Sequence, residues 1–349
     1  MNSEIVIAGA GLAGACAALA LAPYTRVLVL DDGRPGASHA AAGLVNPFLG
    51  RKAKRAWRAT DALDALARLA ESSDVPLQLG GLLRPARDER QAEVFRQRAA
   101  AHPERLRWLS PGSSREAHPA VRAPHGALWV REGGHVEIPR LVEAVLSEAR
   151  HRGAEVLHAR LAGWSGGRDG RLVVRSESAE APEIRTRTLL LCTGDGTRAL
   201  APDLPLQRVK GQTLQLAAPP DLRIPPVSGA GYVVPLAPGE VVVGATFEHS
   251  FTTLAPTPEA AEDLRQRAAA LVPVLEGADV LEARAGVRLT VPASVRPGRL
   301  PLLGPVASGV WAFTGLGAKG LLTAPLLAQH LPEWLADPGA IWPEVSTLA

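Results

Sequence analysis

Apolar positions change period several times along the chain, and each change marks an element. Ile5, Val6 and Ile7 form a short continuous apolar run, the pattern of a strand buried on both faces. An Ala-rich stretch from Leu12 to Leu21 reads as a short buried helix, and Val27 to Leu30 repeats the strand pattern before ending in Asp31. Over residues 51–72 the spacing predicts one amphipathic helix. Ala56, Leu63, Leu66 and Ala70 supply its apolar stripe, and Arg51, Lys54, Arg55 and Arg58 share another face. Residues 77–83 suit a strand, 88–101 a polar helix and 126–131 another strand. An amphipathic helix starts at Pro139, where proline fits a first turn, and a strand follows near Val156.

The second half alternates differently. Short strands are expected at 160–164 and 171–176, with GGRDG as the turn between them. Residues 187–194, RTLLLCTG, are an apolar run ending in glycine, which predicts a buried parallel strand. Residues 207–216, 230–236 and 240–247 alternate and are broken by Pro and Gly, as antiparallel strands are. A helix is expected at about 258–271, a strand at 280–291, and a strand, Gly-rich turn and closing helix within 310–335. Parallel units mixed with antiparallel strands predict two domains, the first interrupted by the second.

Candidate chemistry begins at the first turn. Gly9, Gly11 and Gly14 follow the opening strand in G-x-G-x-x-G spacing. Gly9 permits the tight turn, Gly11 lets backbone approach a pyrophosphate, and Gly14 lets helix and strand pack closely. Leu12 and Ala13 open a helix whose N-terminal N–H groups and dipole favour phosphate. Asp31 stands 22 residues after Gly9, where a carboxylate accepts hydrogen bonds from a ribose, and Asp32 follows it. Asp31 disfavours a 2′-phosphate, so the residues alone leave FAD or NAD as the dinucleotide.

Composition narrows this little. The 349 residues are more than one core usually holds, and 46% hydrophobic with 21% charged is globular. No apolar run is long enough to span a bilayer. The apolar N-terminus lacks a basic n-region, so a cytoplasmic, unprocessed chain is expected. Cys16 and Cys192 sit in a helix and an apolar strand and suggest neither a disulfide framework nor a metal site. The net charge is +3, with four lysines and otherwise arginines.

Six stretches together carry a resemblance. They are AGAGLAGACAALAL, GASHAAAGLVNP, GGHVEIPRLVEAVLSEARHRGAEV, VKGQTLQL, GYVVPLAPGEVVVGATFEHS, and RAGVRLTVPASVRPGRLPLLGP with FTGLGAKGLLTAPLLA. In this order they resemble the D-amino-acid oxidase family of FAD-dependent oxidoreductases, in the style of glycine oxidase. They also resemble the FAD oxidase domain of the bifunctional tRNA wobble-uridine enzyme. The resemblance implies non-covalent FAD and an α/β fold. That fold is an interrupted Rossmann-like FAD-binding domain (1–75, 135–205, 297–349) and a smaller, largely antiparallel substrate domain (76–134, 206–296). It places Ser38 and His39 near the pyrophosphate, Ala42 and Gly43 against the isoalloxazine, and Leu161 beside adenine. Thr193 and Gly194 end a strand over the cofactor. Gly315, Leu316, Gly317, Ala318, Lys319 and Gly320 approach the flavin edge, where the helix N-terminus from Gly320 would stabilise negative charge on the reduced ring.

On the substrate side the resemblance singles out Arg288 to grip a carboxylate and Tyr232 as a pocket phenol. A guanidinium–carboxylate pair is bidentate and orients as well as binds. Lys319 would add positive charge or contact substrate. Ala318 stands where glycine oxidase has an arginine, which tilts away from glycine itself. The expected activity is oxidation of a C–N bond in an amino acid or secondary amine, with hydride transfer to flavin N5. The alternative is the same chemistry on a carboxymethylaminomethyl group of a tRNA wobble uridine, served by the basic run 51–58.

Overall fold

The computed structural model describes residues 2–167 and 170–348. Arg168 and Asp169, in the expected GGRDG turn, lie outside the described residues. Two sheets organise the chain. The first has six strands in the order Glu155–His158, Val27–Asp31, Ile5–Ala8, Thr188–Leu191, Val310–Thr314, Leu302–Ala307. The first five run parallel, and Leu302–Ala307 closes the edge antiparallel. Its strands are apolar on both sides because both sides are covered. Ile5 and Ile7 face a layer of helices Leu12–Leu21, Ile138–His151 and Gly320–Ala328. Val6 and Ala8 face a three-stranded antiparallel sheet through Val174 and Ile184. Ile7 is wholly buried, so Ile7→Ala should cost about 2–5 kcal/mol.

The second sheet has eight strands. Their order is Val280–Thr290, Gln207–Ala217, Glu240–Gly244, Tyr232–Pro235, Val227–Ser228, Leu82–Pro85, Ala127–Val130, Leu106–Leu109. All neighbours are antiparallel except Val227–Ser228 beside Leu82–Pro85. Period-two alternation assigns its faces. Val233, Val243 and Leu214 pack under helix Pro258–Leu271, while Tyr232, Val234 and Val242 turn the other way to meet Ala42. Thr257 caps that helix by accepting from the Ala260 N–H.

The expected helix over 51–72 begins only at Ala59 and runs to Ser72. Residues 48–55 form a small hairpin instead, Phe48–Leu49 against Lys54–Arg55. The buried guanidinium of Arg84 donates to the carbonyls of Phe48 and Gly50 and fixes that turn, and Ala53 and Arg58 take positive φ. No basic helix face therefore exists there. Arg55 pairs with Glu132, and Arg58 pairs with Asp61 and lies 3.8 Å over the Trp342 ring. The strand expected at 77–83 is Leu82–Pro85, and Leu106–Leu109, Pro111–Ala117 and Leu302–Ala307 are additional elements. Leu302–Ala307 contains Gly304 and Pro305, and proline is tolerated on an edge strand. Among the described residues no helix is long and apolar enough to cross a membrane.

Candidate active site

The parallel sheet gathers three loops at one end. The strands Ile5–Ala8, Thr188–Leu191 and Val310–Thr314 are neighbours, and their carboxyl ends run into Gly9–Gly14, Thr193–Gly194 and Gly315–Gly320. Ligands of open parallel sheets bind in the crevice at these ends. Gly9 has φ +98°, and a Cβ there would lie 2.5 Å from the Cys192 carbonyl oxygen. A Cβ on Gly14 would overlap the Gly9 carbonyl, so this pair packs only as glycines. Helix Leu12–Leu21 has no side chain of its own at the cap. Ser38 Oγ accepts from the Leu12 N–H at 3.0 Å. Ala13 and Gly14 also belong to the first turn, where a helix offers N–H groups no carbonyl. Asp31 Oδ1 accepts from the Ala10 N–H at 3.0 Å and Oδ2 from Gly33, tying the acid to the loop. Asp32 lies outside this tie, beside Arg34.

The 36–43 loop crosses from this crevice to the large antiparallel sheet. A Cβ at Gly286 would lie 2.8 Å from Ala37 Cα, so the loop presses on strand Val280–Thr290. Thr213 Oγ1 donates to the Ala40 carbonyl at 3.0 Å. Gly43 has φ +73° and sits where a Cβ would overlap the Val136 carbonyl. His39 turns toward the same sheet, with Nε2 3.8 Å from Glu282 Oε1. Leu161 opens the three-stranded sheet and is partly exposed. Asp195, beside Gly194, takes a bidentate pair from Arg208 at 2.8 and 2.6 Å, which anchors the 193–196 turn.

The third loop is bound to the large sheet as well. Leu316 bridges to Thr290, and a Cβ at Gly317 would lie 3.1 Å from Thr290 Cγ2. Gly317–Lys319 is a short turn that leaves Ala318 exposed and feeds helix Gly320–Ala328. That helix starts beside the first one, since a Cβ at Gly320 would be 3.9 Å from Leu12 Cδ2. Lys319 donates to the carbonyls of Gly298 and Arg299. Burial and the neighbouring Arg299 hold its ammonium below the usual lysine range. Its ties are thus to the 298–299 backbone.

Arg288 and Tyr232 come together on the sheet face that meets these loops. The Arg288 guanidinium lies across Gly211, where a Cβ would collide with it, and 4.4 Å from the Phe247 ring. Nη2 donates to the Thr246 carbonyl at 2.8 Å. Burial lowers the Arg288 pKa, and Tyr232 and Glu248 pull it back up. Burial pushes the Tyr232 phenol up to about 12 despite Arg288. Gly244 makes room for that phenol, since a Cβ there would be 2.7 Å from the hydroxyl. Sequence reasoning missed Gly211, Thr246 and Phe247. Gly211 carried a usable signal, because glycine inside a strand marks close approach. Thr246 and Phe247 carried none beyond lying in GATFEHS.

The glycine cradle, the open helix terminus and the carboxylate beside it fit a dinucleotide, and the comparisons agree. The family model described as FAD dependent oxidoreductase matches residues 4–334. The chain is 30% identical to a glycine oxidase of Pseudomonas aeruginosa, covering 96% of this chain and 95% of the relative. It is also 30% identical to the tRNA 5-methylaminomethyl-2-thiouridine biosynthesis bifunctional protein of Maricaulis maris, of which it spans only 52%. Among solved structures, glycine oxidase from Geobacillus kaustophilus superposes with TM-score 0.82 at 24% identity, over 97% of this chain and 95% of that one. Iminodiacetate oxidase from Chelativorans superposes with TM-score 0.79 at 25% identity, over 95% of each. The chain therefore belongs to the FAD-dependent oxidoreductase family and is a flavoenzyme.

Proposed function

We propose that this enzyme oxidises the C–N bond of a small amino acid or secondary amine whose carboxylate is held by Arg288. The setting of Arg288 carries the reading. The guanidinium lies against Gly211 and 4.4 Å from the Phe247 ring, and the Thr246 carbonyl holds one edge. The remaining in-plane N–H groups are left for a planar anion, which a carboxylate satisfies with two parallel bonds. The glycine oxidases at 30% and 29% identity support the same class of substrate.

FAD, when bound, supplies the two-electron oxidant. Residues 1–75, 135–205 and 297–349 would form its domain, and 76–134 with 206–296 the substrate domain. Gly9, Gly11, Gly14, Ser38 and Asp31 would hold its dinucleotide part, and Gly43 and the 315–320 turn would lie toward its ring. Arg288 fixes the α-carbon, the C–H bond beside nitrogen breaks, and the C–N bond becomes an imine that water hydrolyses. Tyr232 stays protonated at neutral pH and can donate a hydrogen bond to substrate. No side chain need act as base if the amine enters neutral. We place this chemistry in the cytoplasm.

The tRNA reading has less support. Arg55 and Arg58, which it needs at a basic entrance, are engaged with Glu132, Asp61 and Trp342. Anaerobic bleaching of the flavin's visible band tests both. Glycine, sarcosine, iminodiacetate, carboxylate-free amines and undermodified tRNA would each be added to the holoenzyme. Bleaching by a carboxylate-bearing amine is expected. Bleaching by the tRNA alone would replace this reading with the other.

A further inference from the structure

We infer that Glu248 is the positioning residue for Arg288, acting through Thr246 from within a partly buried polar network. The inference rests on Arg288 being the carboxylate anchor. Thr246 and Glu248 lie in the 245–257 segment that follows strand Glu240–Gly244. The Thr246 carbonyl takes the Arg288 Nη2 hydrogen bond at 2.8 Å. The Thr246 hydroxyl donates a short bond to Glu248 Oε1 and accepts from the Gln212 N–H at 2.9 Å. Glu248 Oε1 also accepts from Gln212 Nε2 at 2.8 Å. Gln212 Oε1 in turn accepts from the Thr257 N–H at 2.7 Å, at the far end of the segment. The backbones of Glu248 and Lys210 exchange two hydrogen bonds of 2.9 Å.

Lys210 explains why the acid is there. Its side chain is fully buried, with Nζ 3.9 Å from Glu248 Oε2 and bonded to the Ala255 carbonyl at 2.7 Å. A buried ammonium persists only beside compensating charge and acceptors. Glu248 also counteracts the burial of Arg288. One carboxylate thus faces the fully buried Lys210, counters the burial of Arg288 and, through Gln212, is tied to Thr257 at the far end of the segment that presents the Thr246 carbonyl. An Arg fork binds a carboxylate strongly only in one plane, so the carbonyl that sets the plane sets the affinity.

Acetate is the probe, titrated into holoenzyme and followed by the flavin spectrum, alongside KM and kcat for a carboxylate-bearing amine. Thr246→Val keeps the shape and removes the hydroxyl link. We expect it and Glu248→Ala to weaken acetate about tenfold, with KM rising in parallel and kcat falling much less. Glu248→Gln keeps an acceptor for Thr246 and Gln212 but removes the charge facing Lys210, so it should recover part of that loss. If Glu248→Ala loses FAD, Thr246→Val decides alone. Acetate affinity in Thr246→Val within about twofold of wild type, below the typical value of a hydrogen bond, overturns the inference. If wild type does not bind acetate, or Arg288→Met binds it equally well, the anchor reading fails first and the inference fails with it.

Discussion

The cofactor crevice and the substrate face are built from opposite materials. Around the crevice the work is done by backbone and by missing side chains: Gly9, Gly14 and Gly43 each sit where a Cβ would strike a carbonyl. On the large sheet it is done by side chains, with Arg288 lying against Gly211, near the Phe247 ring and bonded to the Thr246 carbonyl, and backed by charged groups. A backbone site has little freedom to change, because every peptide presents the same N–H. A side-chain site can be retuned residue by residue. That difference explains how one FAD fold can meet relatives with different named substrates at similar identity.

The largest expected effect lies in the crevice. Gly14→Ala and Gly43→Ala each force a methyl into a carbonyl, and Gly43 must in addition hold φ +73°. We expect loss of bound FAD and a stability loss of about 1–3 kcal/mol or more. The flavin-to-protein absorbance ratio and the Tm check it. Full FAD occupancy in both variants would show that the crevice tolerates side chains after all.

Arg288→Met is the matching test on the other side. Loss of a charge-assisted bidentate contact costs about 2–4 kcal/mol, roughly thirty- to a thousandfold in kcat/KM for a carboxylate substrate. FAD content should not change. An unaltered kcat/KM would take Arg288 out of the site.

The contrast also governs what could be read from the sequence. The glycine spacing, the apolar runs and Asp31 were legible because they are local: a turn and a buried strand leave marks on adjacent residues. The pairing of Arg288 with Phe247 was not legible, because it depends on two strands and a loop that meet only in three dimensions. Thr246 and Glu248 look like ordinary polar loop residues until Gln212 and Lys210 are brought under them. The 51–58 segment misled for the same reason. Its period fits a helix, but the Arg84 guanidinium from a distant strand captures two of its neighbouring carbonyls and turns the chain into a hairpin.

Tyr232 offers a smaller, pH-dependent effect. Its phenol is raised to about 12, so it stays protonated below that value and loses its proton only above it. Between about pH 7 and pH 10 the residue should not titrate, and Tyr232→Phe should leave the alkaline shape of the kcat/KM profile unchanged while lowering its height. A limb that disappears in Tyr232→Phe would mean that the phenol ionises in that window.

The smallest effect belongs to a surface that sequence alone made conspicuous. Replacing Lys54, Arg55 and Arg58 by Gln removes three positive charges and touches neither the glycine loops nor Arg288. Lys54 is exposed, so its change should be nearly silent. Arg55 shares Glu132 with Arg105, so one cation remains for that carboxylate. Arg58 lies over Trp342, and a cation–π contact at a partly open site is worth about 0.5–1 kcal/mol. The triple variant should therefore lose a little Tm while turnover of a small amine stays within about twofold, because exposed charges are screened over about 8 Å at physiological salt. For a tRNA substrate the result would differ in kind: affinity would fall, and its dependence on salt would flatten as each lost phosphate contact ceased to release counterions. A flattened salt dependence for tRNA, in an enzyme that never turns over free amines, would move substrate recognition from the Arg288 fork to the protein surface.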